Sequence, residues 1–287
     1  METFAFTVAA VLMAGAPLVL ATLGATLTEK AGIIKPGVPV LSWVQQPEAR
    51  NVVTERAAKL GCRLLQGGTD ISVAVIGADA DLGSQRISVR TPIKQYSELL
   101  LNLAGQHQAR NAALAVAAAE LLAERDSRIT QTSIADGVAN VAWPLRFEIF
   151  QGHPDIVLDA AHNPDSIGAL VATFRSVFGQ RKTRVLIFGS SLDKDAQAML
   201  HHLLPEFTHI IVTEFQTNPR ATKRQQLFEW ATALGLEFSP TISIADTPKA
   251  ALQMAKAACE SNLPADNIVC VTGSIFLAAE VRELLVL

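Results

Sequence analysis

The sequence predicts an α/β protein of two units, and three observations carry that expectation. From residue 156 onward short apolar runs alternate with helical patterns, which implies a parallel sheet covered on both faces. Trp143-Pro144 breaks the pattern between the two halves, so the units are expected at 1–143 and 144–287. A length of 287 residues suits about two domains.

In the first half, Val38–Trp43 reads as a strand, and Pro47–Leu60 reads as a helix closed by Gly61. Ile71–Ile76 and Arg86–Val89 alternate and are expected to pair antiparallel around the Gly77–Gly83 turn region, with Leu99–Leu103 beside them. An alanine-rich helix is expected from Asn111 to Arg125, and a shorter one over Ile134–Val141. In the second half the strand candidates are Ile156–Leu158, Val185–Phe188, Ile210–Val212, Ile242–Ile244 and Ile268–Val271. They are continuous apolar runs, as strands buried on both faces are. Between the first two, Ile167, Leu170, Val171, Phe174, Val177 and Phe178 recur at helical spacing.

Composition narrows the function. Net charge is −3 and no basic stripe is present, which argues against nucleic-acid binding. The cysteines, Cys62, Cys259 and Cys270, are odd in number and lack metal-ligand spacing, as in a reduced cytoplasmic protein. The N-terminus is unusual, because Thr3 to Thr28 carries no charge. Its length allows a membrane helix, but Gly15, Pro17 and Gly24 interrupt it, and Glu2 stands where a signal peptide would be positive. A buried helix and strand, without a membrane, is the favoured reading.

The densest chemistry lies in Leu158-Asp159-Ala160-Ala161-His162-Asn163-Pro164, where a strand gives way to a helix. In open parallel sheets, ligands bind at the carboxyl ends of strands. Asn163 suits the helix cap and Pro164 the first turn, which leaves Asp159 and His162 to face a crevice. A well-capped helix and nothing more is the competing reading.

Six further segments stand in a recognisable order with this one: Glu29–Gly37, Gly105–Ala113, Trp143–Glu148, Phe188–Asp195, Asn218–Ala221 and Val271–Ser274. Together they resemble folylpolyglutamate synthase and dihydrofolate synthase, of the Mur ligase family of ATP-dependent amide ligases. The resemblance runs from about Leu23 to the C-terminus. It implies an incomplete central ATPase domain followed by a Rossmann-like C-terminal ligase domain. It also implies ATP and Mg²⁺ as cofactors, with L-glutamate and a dihydropteroate or tetrahydrofolate as substrates. ATP would convert the substrate carboxylate to an acyl phosphate, which the amino group of glutamate attacks.

The resemblance also assigns roles, each beside a plainer alternative. Lys30 matches a lysine carbamylated to support a magnesium site; otherwise it is a surface lysine paired with Glu29. Asn111 matches an ATP contact, or caps a helix. Arg146 matches a phosphate-binding guanidinium, or makes an interdomain ion pair. Asp159 matches a carboxylate that binds ATP, and His162 lies near the reaction centre unless it only packs the helix start. Asp193, Lys194 and Asp195 would touch the amino-acid substrate, or form a solvated turn. Arg220 and Ser274 are weaker substrate candidates.

The sequence departs from the family in one respect. It contains no Gly-Lys-Ser or Gly-Lys-Thr phosphate loop, and no histidine precedes His107, so no direct magnesium ligand is expected. Thr3–Ala14 is weakly similar to an apolar helix well upstream in the family. The expectation is therefore a ligase truncated at its N-terminus and impaired in phosphoryl transfer, a monomer whose exposed sheet edge would allow association. The alternatives are a non-catalytic nucleotide- or folate-binding homologue or partner subunit, and a Mur-type ligase with another acyl acceptor.

Overall fold

The computed structural model describes residues 31–79, 83–260 and 266–286. Lys30 and the charge-free segment Thr3–Thr28 lie outside them. The chain divides into two units, one ending at Val141 and the other starting at Ala142.

The first unit contains β1 (Val40–Ser42), α1 (Pro47–Lys59), β2 (Leu64–Gln66), β3 (Ser72–Asp79), β4 (Ser84–Arg90), β5 (Gln95–Leu101), α2 (Gln106–Ala123) and α3 (Gln131–Ala139). β1 and β2 pair in parallel, and β3, β4 and β5 form a three-stranded sheet in chain order. The helix expected to open at Asn111 begins five residues earlier, at Gln106. Gly105, at φ 99°, makes the break itself and no side chain caps the helix, so the sequence carries no cap signal there. β2 was not anticipated, since three residues are too few to show a period.

The core of this unit joins Ile71, just before β3, and Ile87, Val89, Leu99 and Leu101 of the sheet to the alanine face of α2. Within it Tyr96 donates through its hydroxyl to Glu120 Oε1 at 3.1 Å. Glu120 Oε2 is buried and without a hydrogen-bond partner among the described residues.

The second unit contains β6 (Glu148–Phe150), β7 (Asp155–Leu158), α4 (Pro164–Phe178), β8 (Thr183–Phe188), α5 (Ala196–Leu203), β9 (His209–Val212), α6 (Arg224–Gly235), β10 (Thr241–Ile244), α7 (Pro248–Cys259), β11 (Asn267–Thr272) and α8 (Ile275–Val286). The sheet order is β10-β9-β8-β11-β7-β6. The five apolar runs form parallel strands, and β6 adds an antiparallel edge beside β7 that the alternating pattern did not anticipate. One face packs Ile156, Leu158, Val185, Ile187, Val269 and Val271 against α7 and α8. Strand alternation turns Val157, Leu186, Ile210 and Cys270 to the other face, where they are equally buried. α4 and α5 bring Phe174, Met199 and Leu200 as buried apolar surface.

The carboxyl edge is level, because Leu158 pairs with Val271, Thr272 with Phe188 and Phe188 with Val212. Close approach there depends on glycine. A Cβ on Gly273, at φ +100°, would stand 2.5 Å from Gly189 O and from the Phe188 ring. β11 lies between β7 and β8 although it is the last of the described strands, so this edge holds the switch point at which ligands bind in such sheets.

Tyr96 is the sole tyrosine, so its ionisation is directly observable. Burial, followed by the nearby Glu120 carboxylate, pushes its hydroxyl from 10.0 up to about 12. The contribution of Tyr96 to stability is complete below pH 10 and is lost as pH rises through 12. Absorbance titration of the native protein should show no tyrosinate at pH 10.5, whereas the urea-unfolded chain should be more than half ionised there. Equal ionisation in both states would contradict the burial of this pair.

Candidate functional site at the carboxyl edge

Asp159 follows β7 directly and is 8% exposed. It does not face a crevice as a free carboxylate. Its Oδ2 accepts from Phe147 N at 2.9 Å and its Oδ1 from Ala161 N at 2.8 Å. Burial is the dominant influence and raises its carboxyl from 3.8 to about 6. The two amides, then the charges of Arg146 and His162, pull in the opposite direction.

Asn163 caps α4 as its sequence suggests. Its Oδ1 accepts from Ser166 N at 2.9 Å, and Ser166 Oγ accepts from Asn163 N at 3.1 Å. This capping fixes the approach of His162, whose amide also donates to Ser166 Oγ at 3.0 Å. His162 Nδ1 lies 3.0 Å from Ala160 O. A carbonyl oxygen only accepts, so Nδ1 carries the proton and neutral His162 keeps Nε2 as an exposed acceptor.

Arg146 occupies the turn that precedes β6. Because Glu148 pairs with Leu158, this turn stands at the same edge as Asp159. Arg146 is half-buried, with its guanidinium 5.7 Å from the Trp143 ring centroid. Its neighbours Leu145 and Phe147 have φ of 61° and 52°, a left-handed conformation that costs non-glycine residues on the order of 1 kcal/mol each. Three hydrogen bonds hold this turn, and a fourth holds one of their acceptors. Phe147 N donates to Asp159, Leu145 N donates to Glu148 Oε2 at 2.9 Å, Ala160 N donates to Leu145 O at 2.9 Å, and Arg282 Nε reaches Glu148 Oε1 at 3.0 Å.

The loops after β8 and β9 bring together further sequence candidates. Leu192 N donates to Arg220 O at 2.8 Å and Thr222 N to Ser190 O at 2.8 Å. Lys194 Nζ lies 2.9 Å from Asp193 Oδ2. The Lys194 hydrogen bond, with a smaller contribution from Arg220, holds the Asp193 carboxyl below its usual value. Asp195 caps α5 through Ala198 N at 2.9 Å. Ser274 is buried at the start of α8, where its Oγ accepts from Phe276 N at 3.3 Å.

Asn111 belongs to the first unit. It lies inside α2, not at its cap, and its Nδ2 donates to Gln108 Oε1 at 3.2 Å. Lys30 is outside the described residues. Among the described residues no three His, Cys, Asp or Glu side chains cluster so as to hold a metal ion. No described helix is long and apolar enough to cross a membrane. Arg282 escaped sequence reasoning, since a partner 134 residues from Glu148 leaves no local signal. Glu148 was visible within Trp143–Glu148, but nothing there marked it as the holder of the turn.

Residues 145–275 match the family described as Mur ligase, glutamate ligase domain. The chain is 32% identical over 265 residues to folylpolyglutamate synthase of Lacticaseibacillus casei, covering 92% of this chain and 58% of that protein. It is 30% identical over 258 residues to dihydrofolate synthase/folylpolyglutamate synthase of Bacillus subtilis, covering 89% and 56%. Its fold superposes on Mycobacterium tuberculosis folylpolyglutamate synthase complexed with ADP at a TM-score of 0.81 and 25% identity, covering 94% of this chain and 60% of that one. The chain thus spans less than three-fifths of the length of the curated relatives it matches.

Asp159 links protonation to stability. Its pKa is raised on folding, so its contribution is complete below about pH 4 and falls as pH rises through 6. Asp159→Asn abolishes the titration and turns an amide NH₂ towards one backbone donor, at a loss of about 1–3 kcal/mol near neutral pH. In urea unfolding, the advantage of wild type over Asp159→Asn should shrink between pH 4 and 6.5. A constant difference would exclude a titrating buried carboxyl.

Proposed function

From the premise that the chain belongs to the folylpolyglutamate synthase and dihydrofolate synthase family of Mur ligases, we propose that it serves ATP-dependent ligation of L-glutamate to a folate or dihydropteroate carboxylate. In this reading residues 1–143 belong to the central ATPase domain and 144–287 form the ligase domain. The observation that carries it is the gathering of Arg146, Asp159 and His162 at the carboxyl edge beside the switch point.

The chemistry follows from what each group can do. A carboxylate has a poor leaving group. Its oxygen takes the γ-phosphoryl group of ATP, releasing ADP, and the resulting acyl phosphate is attacked by the glutamate amine, releasing phosphate. Arg146 offers a planar cation to phosphate oxygens as charge develops. His162 Nε2, held as an acceptor, takes the proton that the amine loses. Asp159 is occupied by amides and acts by holding both neighbours, with its remaining lone pairs open to a ribose hydroxyl. Lys194 and Arg220 suit the carboxylates of glutamate, with Asp193 and Ser274 beside the same loops. Asp195 serves by capping the helix that carries this loop. By the same resemblance, Asn111 would contact the nucleotide and a carbamylated Lys30 would support Mg²⁺. The side chains at the carboxyl edge, Arg146 and Lys194 above all, suit anionic oxygens, and among the described residues no group of His, Cys, Asp or Glu would hold Mg²⁺.

A second reading, nucleotide or folate binding without turnover, is favoured by one observation: the 287 residues contain no Gly-Lys-Ser or Gly-Lys-Thr loop. The test is incubation of this chain with ATP, Mg²⁺, radiolabelled glutamate and either dihydropteroate or tetrahydrofolate. Ligation predicts slow conjugate formation with one ADP per amide, reduced about 10²-fold by Arg146→Ala or His162→Ala. Binding of ADP without conjugate would select the second reading, and absence of both would remove the two together.

A further inference from the structure

We propose that Glu148 and Arg282 are positioning residues for Arg146, clamping the left-handed turn that presents its guanidinium. The proposal rests on the reading of Arg146 as a phosphate contact and deepens it by naming what holds that contact in place.

Backbone strain persists only where the surroundings over-determine it, and it gathers at functional sites. Arg146 is flanked on both sides by left-handed non-glycine residues. Neither Leu145 nor Phe147 has a short polar side chain to ease that conformation, and both are buried, at 9% and 4% exposure. The turn is fastened on both sides of Arg146. Phe147 N donates to Asp159, directly after β7. Leu145 N is bound by Glu148 Oε2, at the first residue of β6.

The two fasteners differ in how they are kept in place. Asp159 is locked by burial and by its second amide, from Ala161. Glu148 is more open, and its side chain is 21% exposed. Arg282 of α8 orients it, with Nε 3.0 Å from Oε1 and 2.9 Å from Oε2. Without Arg282, Glu148 can rotate into solvent, Leu145 N loses its acceptor, and the turn can relax. Arg146 would then spread over several orientations, and a phosphate would meet it less often in the productive one.

The test is a double-mutant cycle read by two measurements on the 287-residue chain. Amide exchange reports the clamp. Arg282→Ala should speed exchange at Leu145 about tenfold or more while leaving Ile211, in β9, unchanged. ADP titration by NMR reports its function. Arg146→Ala, Arg282→Ala and Glu148→Gln should each weaken ADP binding about tenfold, and Arg282→Lys should recover part of the loss. In the Arg146→Ala background, Arg282→Ala should add nothing. Unchanged exchange at Leu145, parallel acceleration at Ile211, or an undiminished effect of Arg282→Ala in the Arg146→Ala background would each overturn the positioning role. If exchange accelerates as expected but wild type does not bind ADP, or Arg146→Ala binds it normally, the phosphate reading of Arg146 falls and takes the positioning function with it.

Discussion

The carboxyl edge of the second unit depends on one buried carboxylate. Asp159 accepts an amide from the turn before β6 and another from the segment that leads into α4. One side chain therefore fixes both Arg146 and the approach to His162. Removal from water disfavours its charged form, while the two amides favour it, and burial prevails. An aspartate already so engaged makes a poor free ligand and a good hinge pin. Its value to the site lies in the alignment of its neighbours.

Much of the second unit was legible because its strands are buried on both faces. Ile156–Leu158, Val185–Phe188 and Ile268–Val271 are unbroken apolar runs, and each became a strand within a residue or two of its expected bounds. β6 was not legible: a three-residue edge strand of intermediate burial has neither a run nor a period to show. The cap formed by Asn163 and Ser166 was half visible, through Asn-Pro at a helix start. The left-handed turn was invisible, because Leu145 and Phe147 are residue types that avoid positive φ. Tertiary contacts impose that conformation, and they come from residues 158–161 and 282.

The same contrast runs through the site residues. Local sequence predicted that Asp159 and His162 would meet at a strand exit, since they lie three positions apart. It could not assign Asp159 a task, because the amide of Phe147 arrives only when β6 pairs with β7. Likewise, Asp193, Lys194 and Asp195 looked alike as a charged run. In the fold the first two pair with each other, and the third is spent on a helix N-terminus.

The position of β11 has a consequence for the order in which this site comes into being. A ribosome releases β7 and β8 long before Asn267–Thr272, yet those strands flank the gap that β11 fills. The carboxyl ends of β7 and β8 cannot be joined until β11 emerges, so the middle of the sheet is assembled after its wings. Long-range pairing of this kind is slow and leaves strand edges open meanwhile. The carboxyl edge that carries Asp159 and His162 is thus completed late in synthesis, and a chain that stops before residue 267 has the flanking strands without the one that joins them.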